Sequence, residues 1–408
     1  MSTLLLFGIS SRHAPLPLAP HQSYMMNATQ RRLLGITCLA VTALIFSYTY
    51  RDAYIYLPKA AVAKCTEAPT SCTARHCSAR SDSKEPLRIL VWTTFYKMRV
   101  LGLGPGGERE IPNCSHRCRV TYDRKFLQAS DAVVIHSRNL DLQDLPSVRR
   151  PCQKWVFWCK EPPPHSFLGE FSQLDSLFNW TMTYRSDSDV RVPYGFFKKR
   201  TRKKNIDFAA VWRRKRKTAV WVVSHCNTSS KREDFVNELR KYIDVDVYGR
   251  CGRYSCSPKT KDMCFRKFER DYFFWLALEN SLCQDYVTEK LFSPLRYNLV
   301  PVVMGSPNYS GTAPPDSVID VSFFGGPAQL AEYMTKVKND FDLYKRYLEW
   351  KMTYRVRAWG ETFCSLCKKL YSVAFETPSM YKKLSLWWMN GSNCYRWNDD
   401  TWNSRLKR

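Results

Sequence analysis

A chain of 408 residues has room for an N-terminal anchor and two domains of ordinary size. Its hydrophobic fraction of 44% is that of a globular protein. The formal charge of +26 calls for an anionic partner, yet no nucleic-acid-binding module is present.

In chain order, residues 1–32 read as a cytoplasmic tail, with Met25 or Met26 as alternative starts. Residues 33–50 are apolar and free of charge, at the short end of a membrane-spanning helix, and are expected to form an uncleaved signal anchor. Residues 51–86, rich in Ala, Ser, Thr and Lys, read as a stem. A first domain, 87–205, opens with strands predicted at 87–92, 132–136 and 154–158. A second, 206–375, is predicted to carry strands at 219–224, 245–248, 300–304 and 318–321. Its predicted helices lie at 231–242, 272–278, 288–297, 328–338 and 341–350. Short apolar runs separated by polar or helical stretches argue for α/β domains with parallel sheets and right-handed crossovers. Residues 376–408 read as a C-terminal tail.

Sixteen cysteines are too many for a cytosolic enzyme of this length without a metal. They lack the regular spacing and clustered histidines of a zinc module, which favours disulfides, in a connectivity that spacing cannot give. Cys38 lies in the apolar segment, and the odd number after it leaves at least one thiol free or intermolecular. Sequons at Asn113, Asn179, Asn227, Asn308 and Asn390 agree with the cysteines on a secretory lumen for the C-terminal part, whereas charges flanking 33–50 leave orientation open. Basic runs at 198–204 and 213–217 flank the domain boundary and read as solvated loops able to attract an anionic substrate.

The most informative stretch is 279–305. Asp285, Glu289 and Lys290 open a helix at Thr288, and a strand follows, an arrangement that can bind an anion. Its simplest reading is a capped helix, with Asp285 or Thr288 as N-cap and Glu289 favoured by the dipole. The wording adds more. Asp285-Tyr286-Val287-Thr288-Glu289-Lys290-Leu291, between Glu279-Asn280-Ser281 and Val300-Pro301-Val302-Val303, resembles the signature of the α-1,3-fucosyltransferases. Val192-Pro193-Tyr194-Gly195, Asp246-Val247-Tyr248-Gly249-Arg250-Cys251 and Phe363-Cys364-Ser365-Leu366-Cys367 extend the resemblance over about 280 residues, 87 to 370.

That resemblance implies two Rossmann-like domains facing across a cleft (the GT-B architecture), in a type II Golgi membrane protein. It implies transfer of L-fucose from GDP-β-L-fucose to the 3-hydroxyl of N-acetylglucosamine on a glycoprotein glycan, with inversion and no nucleic-acid partner. Glu161 matches the family's general base, although Lys160 and Pro162 depart from the residues usual beside it. His165 matches an acceptor-side histidine. Arg232 and Lys290 match the phosphate-binding cations; Tyr286 and Glu289 match residues holding nucleotide and fucose; Ser224, Tyr248 and Asn280 match further donor-site positions. Asp187-Ser188-Asp189 has the DxD form that binds manganese in other glycosyltransferases, but falls in a segment that is not a metal site in this family. No cofactor is expected to be required, and divalent-cation stimulation is left open. The acceptor is open between the N-glycan core, toward which the Cys-rich insertion 251–264 leans, and peripheral lactosamine. An inactive lumenal glycan-binding protein of the same fold is the alternative.

Overall fold

The computed structural model describes residues 85–397, apart from 104–105, 257–260, 307–308, 310, 359–361 and 373–379. The expected tail, the anchor at 33–50, nearly all of the stem and Asn308 lie outside them. Among the described residues no helix is long and apolar enough to cross a membrane.

The first sheet is built from β1 (Leu87–Val91), β2 (Glu108–Glu110), β3 (Cys118–Thr121), β4 (Ala132–His136), β5 (Lys154–Cys159), β6 (Trp180–Thr183) and β7 (Val190–Arg191). Their order is β2-β3-β1-β4-β5-β6-β7, parallel except for β2. β4 and β5 are buried along their whole length, so they read as unbroken apolar runs rather than alternating ones. A two-stranded ribbon, β8 (Gly195–Lys199) antiparallel to β14 (Tyr354–Ala358), marks the crossing between domains.

The second sheet contains β9 (Lys217–Val222), β10 (Val245–Tyr248), β11 (Tyr272–Leu278), β12 (Val300–Met304) and β13 (Ile319–Asp320), all parallel in the order β10-β9-β11-β12-β13. The helix expected at 272–278 is therefore wrong: β11 is the middle strand. All seven of its residues are buried and paired on both edges. A short apolar run carries no periodicity that separates a buried helix from a buried strand, and here length and aromatic content favour the strand. The helix expected at 288–297 is also broken. It forms one turn, Glu289–Phe292, then a 3₁₀ turn, Pro294–Arg296, because Pro294 cannot continue the ladder.

Around the expected boundary at 375 the chain returns to the first domain. Helix Thr362–Ser372 packs Phe363, Leu366, Cys367 and Leu370 onto one face of the first sheet. The presumed tail then crosses that sheet's other face, where Leu384 and Trp388 are fully buried. Its end reaches the second domain, where Trp397 meets Phe235 at 5.5 Å. Disulfides fix these excursions. Cys114–Cys364 and Cys118–Cys367 hold the returning helix, and Cys283–Cys394 holds the final segment. Cys226–Cys251 and Cys256–Cys264 staple loops of the second domain. Cys114 and Cys118, four apart, thus bond across the fold to Cys364 and Cys367, three apart, and not to each other. Among the described cysteines, buried Cys159 is the free thiol.

Candidate active site

The loop after β11 places charge at the carboxyl end of the second sheet, where open α/β sheets bind ligands. Glu279, 1% exposed, accepts hydrogen bonds from the Thr288 amide at 2.8 Å and from its hydroxyl at 2.8 and 2.9 Å. Lys290 Nζ lies 3.1 Å from Glu279, 2.9 Å from Thr288 Oγ1 and 3.2 Å from Glu289 Oε1. Burial pulls the Lys290 ammonium down, but Glu279 and Glu289 more than offset it, so the pKa rises and the cation persists. Burial pushes the Glu279 carboxyl up. The Glu289 side chain is 60% exposed and free to meet a ligand, and the nearby ammonium holds its pKa down against burial. Thr288 caps the four-residue helix itself, so Lys290 rather than a row of free amides is the cation here. Asp285 is not the cap: its carboxylate accepts from Ser186 N at 2.9 Å and Oγ at 2.7 Å, tying the two domains together.

The other expected donor-site residues divide by burial. Arg232 is 3% exposed and donates to the carbonyls of Leu278 and His225 at 2.8 Å each, and to Glu233 at 3.2 Å. It ties the ends of β9 and β11 together and contributes field rather than an open contact. Tyr286 is also buried, within a cluster that includes Tyr184 and Tyr194 at ring separations of 5.0 and 6.3 Å. Tyr248 packs against Phe268 at 4.9 Å in the second core. Ser224 is exposed, and its carbonyl accepts from Arg250 Nε and Nη2 at 3.0 and 2.7 Å. Asn280 Oδ1 is buried and has no hydrogen-bond partner among the described residues. Gly249 makes the turn beneath Ser224 with φ +96°, where a Cβ would lie 2.4 Å from Val223 O, so only glycine fits.

The first domain supplies the facing wall. β5 ends at Cys159, and the chain then presents Lys160 and half-buried Glu161. Glu161 Oε1 accepts from Tyr96 Oη at 2.5 Å. Tyr194 donates to Lys160 O at 2.6 Å, and Lys160 Nζ sits 4.2 Å above its ring. Burial lowers the Lys160 pKa, opposed by the fields of Glu289 from one domain and Glu161 from the other. The His165 ring, from the loop after Glu161, lies 5.5 Å from that of His225 at the end of β9. The two sheets' carboxyl ends therefore meet, with Glu161 on the first domain's side and Glu289 on the second's.

The DxD carboxylates are engaged with their own chain. Asp187 pairs with Arg185 at 2.7 Å and accepts from Trp387 Nε1, while Asp189 accepts from Thr181 and Tyr381. Sequence reasoning did not pick out Tyr96, Glu279, His225 or Arg250 as site residues. Glu279 stands inside the signature stretch, but nothing in its spacing reveals that it is buried beneath Lys290.

The family descriptions "Fucosyltransferase, N-terminal" and "Glycosyltransferase family 10 (fucosyltransferase) C-term" match residues 84–195 and 212–387. The chain belongs to glycosyltransferase family 10, the fucosyltransferases. It is 38% identical to α-(1,3)-fucosyltransferase C of Drosophila melanogaster over 332 residues, covering 74% of this chain and 77% of that one. It is 37% identical to 4-galactosyl-N-acetylglucosaminide 3-α-L-fucosyltransferase 9 of Mus musculus, covering 71% and 79%. Glycoprotein 3-α-L-fucosyltransferase A of Drosophila melanogaster is 33% identical over 68% of this chain and 55% of its own length.

Not every sequon of this fucosyltransferase is open to modification. Asn113, Asn227 and Asn390 are exposed. Asn179 is 2% exposed, and its Oδ1 accepts from Trp155 N at 2.8 Å and from Arg149. In the folded sheet the Asn179 amide is buried and engaged, leaving no room for a glycan on it.

Proposed function

We propose that this fucosyltransferase moves L-fucose from GDP-β-L-fucose to the 3-hydroxyl of N-acetylglucosamine in glycoprotein glycans, forming an α-1,3 linkage, with the N-glycan core as acceptor. The observation that carries this reading is the approach of the two sheets' carboxyl ends, His165 to His225 at 5.5 Å, with Glu161 on one side and the Glu289–Lys290 pair on the other. Glu161, on the first domain, takes the proton of the acceptor hydroxyl. The acceptor oxygen bonds to the anomeric carbon from the face opposite the nucleotide, and the bond from that carbon to the phosphate oxygen breaks. The electron pair leaves with GDP, whose charge Lys290 and exposed Arg250 offset, with buried Arg232 adding positive potential from below. Glu289 holds fucose hydroxyls and stabilises positive charge at the anomeric carbon. No metal is needed in this scheme, since side-chain cations face the leaving group. The name of one Drosophila relative, a glycoprotein 3-α-L-fucosyltransferase, supports a glycoprotein acceptor, and the disulfide-stapled insertion is what inclines the reading to the core. The mouse relative's name favours a peripheral lactosamine acceptor as the second reading. The cysteines, the exposed sequons and the apolar run at 33–50 support a Golgi type II placement with the catalytic part in the lumen.

The test uses the secreted lumenal part, assayed with a core glycopeptide and with N-acetyllactosamine, in EDTA and in manganese. Product of α-1,3 linkage in EDTA is expected, with the glycopeptide preferred. Glu161→Gln is expected to reduce kcat at least 100-fold while GDP affinity stays within twofold. Retained transfer would remove Glu161 as the base, and lost GDP affinity would place it in the donor site instead.

A further inference from the structure

The loop after β1 contains a feature that the reaction scheme leaves unused. Phe95 and Met98 exchange both backbone hydrogen bonds at 2.9 Å, closing a two-residue turn whose central residues, Tyr96 and Lys97, have φ of 50° and 64°. Such turns select Asn and Gly because both central positions are left-handed. A tyrosine and a lysine there are strained, and strain of this kind persists only where surrounding contacts over-determine it. Those contacts are present. Phe95 stacks on Trp158 at 4.8 Å with ring planes 15° apart, and also meets His136 at 4.7 Å. The Tyr96 amide donates to Asn139 Oδ1 at 2.9 Å, and the same oxygen lies 2.9 Å from His136 Nδ1. The Tyr96 ring meets His136 at 5.1 Å. The result of this bracing is one contact, the phenol hydroxyl on Glu161 Oε1 at 2.5 Å.

We propose that Tyr96 is a positioning residue for the acceptor-side carboxylate, a role that rests on the reading of Glu161 as the base. Glu161 follows the end of a strand and carries rotatable bonds that nothing in its own loop fixes. Tyr96 holds Oε1, and Oε2 makes no hydrogen bond to the protein among the described residues. The carboxylate plane is thereby set before the acceptor arrives, with one oxygen kept for the hydroxyl proton. Burial, together with the hydrogen bond to Glu161, pushes the phenol well above its ordinary pKa, so Tyr96 remains a donor and does not compete as a base. The turn belongs to the first domain and touches Glu161 rather than Lys290, so its effect belongs to the acceptor half of the reaction.

The experiment compares Tyr96→Phe in two backgrounds, the native chain and Glu161→Asp, whose shortened side chain withdraws from the phenol. In the native background kcat is expected to fall about tenfold, the scale of one hydrogen bond to a charged group, with KM for GDP-fucose and GDP affinity unchanged. In the Glu161→Asp background the same substitution is expected to change kcat less than twofold, because residues acting as a unit are not additive. An equal drop in both backgrounds, or a drop accompanied by lost GDP affinity, would overturn the positioning role and leave Tyr96 a structural residue. An unchanged kcat for Tyr96→Phe beside an inactive Glu161→Gln would sink the role of Tyr96 alone. An active Glu161→Gln would sink the base assignment itself.

Discussion

Lys290 sits between two carboxylates of unlike exposure, and the proposed donor side turns on it. Removing it strands Glu279 in a buried position with only Thr288 for compensation. Lys290→Met is therefore expected to cost about 3 kcal/mol of folding stability, read from urea midpoints, besides weakening GDP binding. Adding Glu279→Gln should recover much of the stability and none of the GDP affinity. A stability change under 0.5 kcal/mol would show that solvent already compensates Glu279. The functional residues were unequally legible in the sequence. Glu161, Glu289 and Lys290 stand in recognisable runs, on loops at the carboxyl ends of the two sheets. Tyr96 lies 65 residues from Glu161, in a turn whose composition argues against a turn, so no local pattern could pair them. Tyr286 and Arg232 were matched by position, but position does not report burial, and both proved to be packed inside.

At the scale of elements, most of the alternation of strand and helix could be read directly. β4, β10 and β12 fall where apolar runs lie between polar stretches, and helices 327–339 and 341–353 follow their amphipathic faces. β11 failed for a definite reason: a strand buried on both faces has no polar face to set its period. The final segment failed for another. Aromatic residues scattered among Lys, Ser and Asn show no regular period, yet Trp388 fills the first core, with its indole N–H on Ser166 Oγ at 2.8 Å. Trp388→Ala is expected to cost about 3–5 kcal/mol, since the segment cannot collapse into the space left beneath it. Denaturant unfolding of that variant checks this, and a loss below 1 kcal/mol would mean that the segment is an accessory rather than part of the core.

For the whole molecule, the consequence is that chain order and domain membership differ. Residues 85–200 contain every strand of the first sheet but lack the helix and the final segment that cover its two faces. That fragment is expected to show no cooperative thermal transition when expressed alone. A sharp transition would mean that the returning segments are dispensable. The sequence suggested a linear division into domains because basic runs flank the boundary near 205 and nothing in it records a long-range return. The disulfides joining 114 to 364 and 118 to 367, with separations of 250 and 249 residues, also bear on biosynthesis. At ordinary elongation rates the first cysteine of such a pair waits roughly 10–50 s for its partner to be made. During that interval both faces of the first sheet lack the segments that cover them, and two reactive thiols are without their mates. A ribosome that stops early would release a chain whose opening half, though fully synthesised, has nothing to close it, and such a product exposes the surface that chaperones and thiol-exchange enzymes retain.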